Sequence, residues 1–415
     1  MDSPNGFRRL LAASALSSFG DGVRLIAFPL IGASLTRDPR TIAALAAMGT
    51  LPSLVGALPV GEIVDRMRRA RLMVVVDATR GLALGVLVLI IATGHLEVWH
   101  LLVLALLLGI GQLFFDISSS ALVPTVIPAT KLARFNGYLA STQQAGAGLI
   151  GPACAGLFYA VSQETPFAVD GATFLLSALI VSSLARREAK PRLESNAEQD
   201  SGPLRELTSN VREGIRWLLA DRPLLAMVGL FAGWSLFGWI AEAVLVLYVK
   251  EDLHASNTVF GLLLSVCAAG AVLGGIAASR IVTRFGAAHV LTPCLVLYGL
   301  CLLPPAFLSS QILVGIDFFV QGVPVVIFSI ASVTIRQSVV PSAILGRITS
   351  IFYLAGAGLA PVGLLLGGVI GGWTGLRSTF LFGGLGVVAI ALALARPVSA
   401  LAKRPMAAEL VKTST

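Results

Sequence analysis

Charge is what this sequence has least of. Only 13% of its 415 residues are Asp, Glu, Lys or Arg, against about 25% in a soluble globular protein, so a water-soluble domain is a poor description of it. Cysteine is also sparse: Cys154, Cys267, Cys294 and Cys301 all fall inside apolar stretches, with no metal-ligand spacing and no place in an exposed loop. Neither a disulfide framework nor a zinc site is indicated. No Gly-x-x-x-x-Gly-Lys-Ser/Thr sequence occurs, which excludes ATP hydrolysis by this chain. No nucleophile–base constellation or metal cluster points to an enzyme. The net charge is +8, but the basic residues sit in short connections rather than on a folded basic face, so nucleic acid is not the expected partner. Gly146 to Gly151 fits Gly-x-Gly-x-x-Gly, but inside an apolar block with no strand before it, where a dinucleotide has no site.

What the sequence does have is apolar length. Hydrophobic residues make up 56% of it and come in blocks of about 20, enough to cross a bilayer as helix. The blocks predict an all-α polytopic membrane protein of about twelve spans: 9–35, 41–64, 72–94, 98–123, 135–161, 166–185, 223–249, 257–283, 288–309, 311–335, 347–373 and 376–396. The first block is too long for a signal-peptide core and reads as a retained span. The only long polar connection, 186–222, divides a six-helix bundle at 1–185 from a second at 223–400, with a tail at 401–415. An amphipathic helix along the membrane surface is expected near its end, with Leu207, Val211, Ile215 and Leu218 on one face. Lys and Arg number 24 in the loops on the side of the N-terminus and 4 in the opposite loops (Arg37, Arg40, Lys250 and Arg377). That asymmetry places both termini and the linker in the cytoplasm. Arginine outnumbers lysine 25 to 5, a bias that fits the cell membrane of a GC-rich bacterium.

The halves echo one another. VIPATKLAR (126–134) returns as VVPSAILGR (339–347), GALPVGEIVDR (56–66) as GGIAASRIVTR (274–284), and AGAGLIGP (145–152) as AGAGLAP (355–361). Three echoes in one order argue for two structurally equivalent bundles, an arrangement that places a substrate path between them near the midplane.

Two motifs carry a resemblance. Gly61, Asp65, Arg66 and Arg69, between the second and third spans, resemble the loop motif Gly-x-x-x-Asp-Arg-x-Gly-Arg of the major facilitator superfamily, departing from it at Arg68, where the family has glycine. Gly148, Gly151, Pro152 and Gly156 in span five resemble that superfamily's antiporter motif, Gly-x-x-x-Gly-Pro-x-x-Gly-Gly, with two glycines replaced by alanine. Span one, SSFGDGVRLIAFPL (17–30), is similar to the first helix of the branch containing macrolide exporters and the enterobactin exporter. The resemblance implies the major facilitator fold, a cytoplasmic gate at Asp65 and its arginines, and export rather than uptake. Physically, an Asp at a helix end can pair with arginine or face the positive end of a neighbouring helix. Small residues let helix backbones approach closely, and Pro152 kinks its helix.

Ionisable groups inside spans are functional candidates, because leaving one unpaired at that depth is costly. Asp21 and Arg24 lie one turn apart half-way across span one. Asp77 and Arg80 repeat the spacing in span three, nearer the cytoplasm, where they read as a structural pair acting with the gate. Asp116, Glu242 and Asp317 have no basic residue at helical spacing in their own spans; desolvation favours the neutral carboxyl there, as proton coupling requires. Asp170, close to the outer end of span six, reads as an interfacial residue. Phe28, Phe115, Gln144, Trp234, Trp239 and Phe318 are candidates for lining an apolar cavity. The expectation is a monomeric exporter of small amphipathic molecules such as antibiotics, driven by protons through the proton-motive force and needing no bound cofactor. A dedicated exporter of a siderophore or other natural product, an uptake symporter, and a non-transporting receptor or regulator are the other readings. A siderophore exporter would want a basic pocket, and only Arg24 and Arg80 lie inside spans.

Overall fold

The computed structural model describes residues 4–56, 60, 63–64, 67–126, 135, 138–139, 141–185, 216–340 and 342–403. Regular structure among them is entirely helical, as the bilayer requires of a chain whose backbone must satisfy its own hydrogen bonds. The helices are α1 (Pro4–Leu35), α2 (Pro39–Val55), α3 (Arg69–Ala92), α4 (Val98–Val126), α5 (Gly151–Val161), α6 (Thr165–Ala185), α7 (Arg222–Glu242), α8 (Asn257–Phe285), α9 (Ala287–Cys301), α10 (Gln311–Val339), α11 (Ser342–Gly356), α12 (Ala360–Thr374) and α13 (Leu376–Ser399). Eleven helical stretches among the described residues are long and apolar enough to span a membrane. They match eleven of the twelve expected segments, the eleventh of which is α11 and α12 run together. The remaining one is α2, 17 residues long, whose sequence runs on into residues outside those described.

The local sequence explains the breaks. Asp38 caps α2, accepting from the Arg40 N–H at 3.2 Å, with Pro39 pre-set for the first turn. Asp221 caps α7 through the Leu224 N–H at 3.1 Å, again followed by proline. Gly286 (φ 82°) separates α8 from α9 and Gly375 (φ 92°) separates α12 from α13, conformations open to glycine at little cost.

The chain forms two compact units, Met1–Leu193 with Val246–Val266, and Glu194–Leu245 with Cys267–Thr415. In the first, α6 packs on α1 and α3, α4 on α2 and α3, and α5 on α1. In the second, α13 packs on α7 and α9, α10 on α9, and α11 and α12 on α7. The same pairing order thus recurs in each half. The stretch 246–266, which the sequence reading keeps with the second bundle, packs in the first unit instead. A Cβ on Gly156 would lie 2.7 Å from Thr258 Cα, so the start of α8 rests against the antiporter-motif helix.

Helix α3 shows how membrane helices invert the soluble pattern. Leu82, Val86 and Leu89 are its exposed stripe, whereas Asp77, Arg80, Leu84 and Leu87 are buried. The apolar face is left for lipid and the charge is turned inward.

Candidate functional site

Three helices of the first unit bring their charges to one place. Asp21 and Arg24 come from α1, Asp77 and Arg80 from α3, and Asp170 from α6. Arg24 Nη2 pairs with Asp21 Oδ1 one turn away, and its Nε lies 3.2 Å from Asp170 Oδ2. Arg80 Nη2 reaches the same Asp21 oxygen at 3.0 Å and donates to Gln112 Oε1 at 2.6 Å. Its Nη1 stands 3.5 Å from Asp77 Oδ1. The Arg80 guanidinium also lies over the ring of Phe174, 3.8 Å from its centroid, a cation–π contact strengthened by desolvation. Gln112 passes the network on, donating to Asp116 Oδ1 at 3.0 Å. A continuous chain of contacts therefore runs from Asp170, with no exposed surface, to Asp116, which is exposed.

Two glycines make room for it. A Cβ on Gly111 of α4 would come within 2.7 Å of Arg80 Cδ, and one on Gly20 of α1 would overlap Asp170 Oδ1 and Thr173 Oγ1. Neither position tolerates a side chain without moving an ion of the cluster.

Asp77 and Arg80 are fully buried and joined to Asp21, which ties the two i, i+3 pairs of the sequence into one network. Asp170 corrects the sequence reading: it is not interfacial but enclosed, because α6 packs against both α1 and α3. Nothing in its own helix signals this. Charge does not signal it either, because Asp21 and Asp77 already match the two arginines one to one.

Of the gate, Gly61, Asp65 and Arg66 lie outside the described residues, as does most of the expected amphipathic segment (Leu207, Val211 and Ile215). Arg69 is described, and its Nη1 donates to the Ala121 carbonyl at 3.1 Å, tying the start of α3 to α4.

The stretch that resembles the antiporter motif begins in a π-helical turn, Gln144–Ile150, leading into α5. Proline cannot donate, and its ring crowds the carbonyl four residues back. Widening the turn ahead of Pro152 is the local solution, with the Gly151 N–H bonding the Gly146 carbonyl five residues back. Gly148 sits half-buried in this turn. A Cβ on Gly151 would lie 2.7 Å from Gly22 Cα, so the motif presses directly on α1 beside Asp21.

In the second unit the interior is aromatic. Phe231 and Trp234 of α7 meet Tyr298 of α9, Phe328 of α10 and Phe352 of α11, with ring centroids 5.2–6.5 Å apart. Trp239 is half-buried against Gly363 of α12, and Phe318 is buried. Glu242, at the end of α7, is exposed. Asp317 of α10 is half-buried, and its Oδ2 has no hydrogen-bond partner. Of the remaining cavity candidates, Phe28 packs edge-on against Phe167 at 5.9 Å. Phe115 belongs to a hydrophobic cluster with Leu10, Met73, Leu122 and Val181, and Gln144 is exposed at the start of the π turn.

Comparison with known proteins gives the fold a context. A family model described as transmembrane secretion effector matches residues 3–410. The multidrug efflux pump Tap of Mycolicibacterium fortuitum is 27% identical over 420 residues, covering 95% of this chain and 97% of that protein. Macrolide efflux protein A of Streptococcus pyogenes is 23% identical over 394 residues, covering 93% and 94%. Among solved structures, the nucleoside transporter NupG superposes with a TM-score of 0.68 at 12% identity, covering 95% of this chain and 99% of that one. A bacterial homologue of the iron transporter ferroportin, inward-facing, gives 0.67 at 19% identity, covering 97% and 100%. At these identities the solved structures speak for the fold alone.

Proposed function

Since the chain belongs to the transmembrane secretion effector family of the major facilitator superfamily, we propose that it is an efflux transporter, exporting amphipathic compounds in exchange for protons by alternating access. The relatives named as multidrug and macrolide efflux pumps, aligned over nearly their whole length, support export and drug-like cargo. The single observation that carries proton coupling is the ion cluster of the first unit. Carboxyl groups held away from water in contact with arginine are the means by which a protein can exchange a proton for a change in pairing. The cluster also bears on cargo: Arg24 and Arg80 are both engaged by carboxylates, so neither offers a free cation to an anionic compound such as a siderophore. Neutral or cationic molecules fit better. The proton-motive force supplies the energy, and no cofactor takes part.

The test has two stages. Expression in a drug-sensitive bacterium should raise resistance to erythromycin and ethidium, and purified protein in vesicles should accumulate both when a pH gradient is imposed. Dissipating that gradient should stop accumulation. Accumulation that persists without it would remove proton antiport, and unchanged resistance across a broad drug panel would remove efflux.

A further inference from the structure

The cluster contains three carboxylates and two guanidiniums. Arginine stays charged in proteins, so Asp21, Asp77 and Asp170 together exceed Arg24 and Arg80 by one negative charge. All five lie within helices long and apolar enough to span a membrane, where an unbalanced charge is disfavoured. The three acids are not held alike. Asp21 receives both arginines on one oxygen. Asp77 has Arg80 one turn away on its own helix, a partner it keeps however the helices move. Asp170 has no basic residue anywhere in α6. Its one ion pair is with Arg24 of α1, and its carboxylate oxygens, like those of Asp77, make no hydrogen bond. Even the nearby Thr173 hydroxyl is turned away, donating to the Asp170 backbone carbonyl at 2.7 Å.

We propose that Asp170 is the proton-carrying carboxyl of the first unit. It holds a proton while both arginines are drawn to Asp21. When its O–H bond breaks and the proton leaves to water, the carboxylate takes a charge-assisted bond from Arg24. The groups that face it are Asp21 and Arg24 from α1, and Arg80, with Asp77 beside it, from α3. Helix α5, also packed on α6, brings only Cys154 and Tyr159 as titratable groups, and Gln112 and Asp116 of α4 connect through Arg80. Because the pair Arg24–Asp170 joins different helices, its making and breaking couples a proton to helix packing, which pairs within one helix cannot do. Gly20 serves this arrangement by leaving space where a Cβ would meet the Asp170 carboxyl.

This inference deepens the exporter reading, but its first test needs neither substrate nor gradient. Infrared difference spectra of the whole protein in lipid nanodiscs, recorded while the buffer is made alkaline, should show the carbonyl band of a protonated carboxyl disappear. That component should be missing in Asp170→Asn and retained in Asp77→Asn and Asp116→Asn. A band that survives in Asp170→Asn, that vanishes in Asp77→Asn, or that is absent from the unaltered protein overturns the assignment. Should Asp170→Asn fail to fold, Gly20→Ala keeps the acid but displaces it, and must shift the titration of the band; an unshifted titration is equally fatal. In vesicles, Asp170→Asn should still exchange erythromycin across the membrane while its response to a pH gradient falls at least about 10-fold. A full response to the gradient would overturn the proposal. If the unaltered protein moves no drug at all, the efflux reading fails while the infrared result stands by itself.

Discussion

The two halves of the molecule share a packing plan and fill it with opposite chemistry. In the first unit α1, α3 and α6 meet around Asp21, Arg24, Asp77, Arg80 and Asp170. In the second, α7 and α9 occupy the corresponding places in the pairing order, and α7, α9, α10 and α11 meet around Phe231, Trp234, Tyr298, Phe328 and Phe352. Its acids, Glu242 and Asp317, have no arginine near them on their own helices, where Arg222 and Arg336 stand at the opposite ends. A duplicated scaffold therefore need not duplicate its interior. Rings hold helices together by packing and impose no charge condition. Ions hold them only while their charges balance, and so make packing answerable to pH and to partners.

That contrast can be broken most directly at Arg80. Replacing it with leucine strands Asp77 without its cation and removes one of two arginines from Asp21, a loss of about 3–5 kcal/mol for a buried ion pair cut on one side. Combining Arg80→Leu with Asp77→Asn should recover a large part of that loss, because the double change removes the stranded charge. Thermal and denaturant unfolding in detergent would measure both. A loss below about 1 kcal/mol for the single variant would mean that the cluster is solvated and that the contrast between the halves is false.

The second unit should respond to size and not to charge. Phe231 contacts Trp234, Phe328 and Phe352, and a Cβ on Gly356 would lie 2.7 Å from its ring. Being half-buried, it should cost about 2–4 kcal/mol on truncation to alanine. The loss should be equal in mildly acid and mildly alkaline buffer, where Arg80→Leu should give unequal losses. A pH-dependent penalty at Phe231 would show that the aromatic core also balances charge.

Much of this was legible in the sequence. Apolar block length gives the helices, because a membrane span must be continuous and apolar. The pairs Asp21–Arg24 and Asp77–Arg80 follow from helical spacing alone. What spacing could not give is the contact between Arg80 and Asp21, 59 residues apart, which exists only because α1, α3 and α6 share a core. The enclosure of Asp170 is hidden for the same reason: depth along a helix is written in sequence, but the face that a neighbour covers is not. The π turn before α5 is another such case. Pro152 announces a distortion, but the close packing of Gly151 against Gly22 is not written in the spacing.

The smallest effect tests the comparison at the helix starts, where the two units are alike. Asp38 opens α2 and Asp221 opens α7, each accepting a backbone N–H and each followed within two residues by proline. Either Asp→Ala change should cost about 1 kcal/mol, the usual worth of such a cap. Asp38 lies outside the spans, and its carboxyl is held below the usual carboxylate range, chiefly by the Thr41 hydroxyl at 2.8 Å, which outweighs the opposing effect of burial, with a lesser contribution from the backbone N–H of Arg40. Its folded form therefore favours the ionised carboxylate, and the associated stability is present above the unfolded value, about 3.9. It is lost as the pH falls through the lower folded value. Asp38→Asn should keep most of the cap, since asparagine accepts the same N–H, while flattening the acid limb of the stability curve. If Asp38→Asn left that acid limb unchanged, the loss would have to come from other carboxylates, and the cap would be purely a matter of geometry.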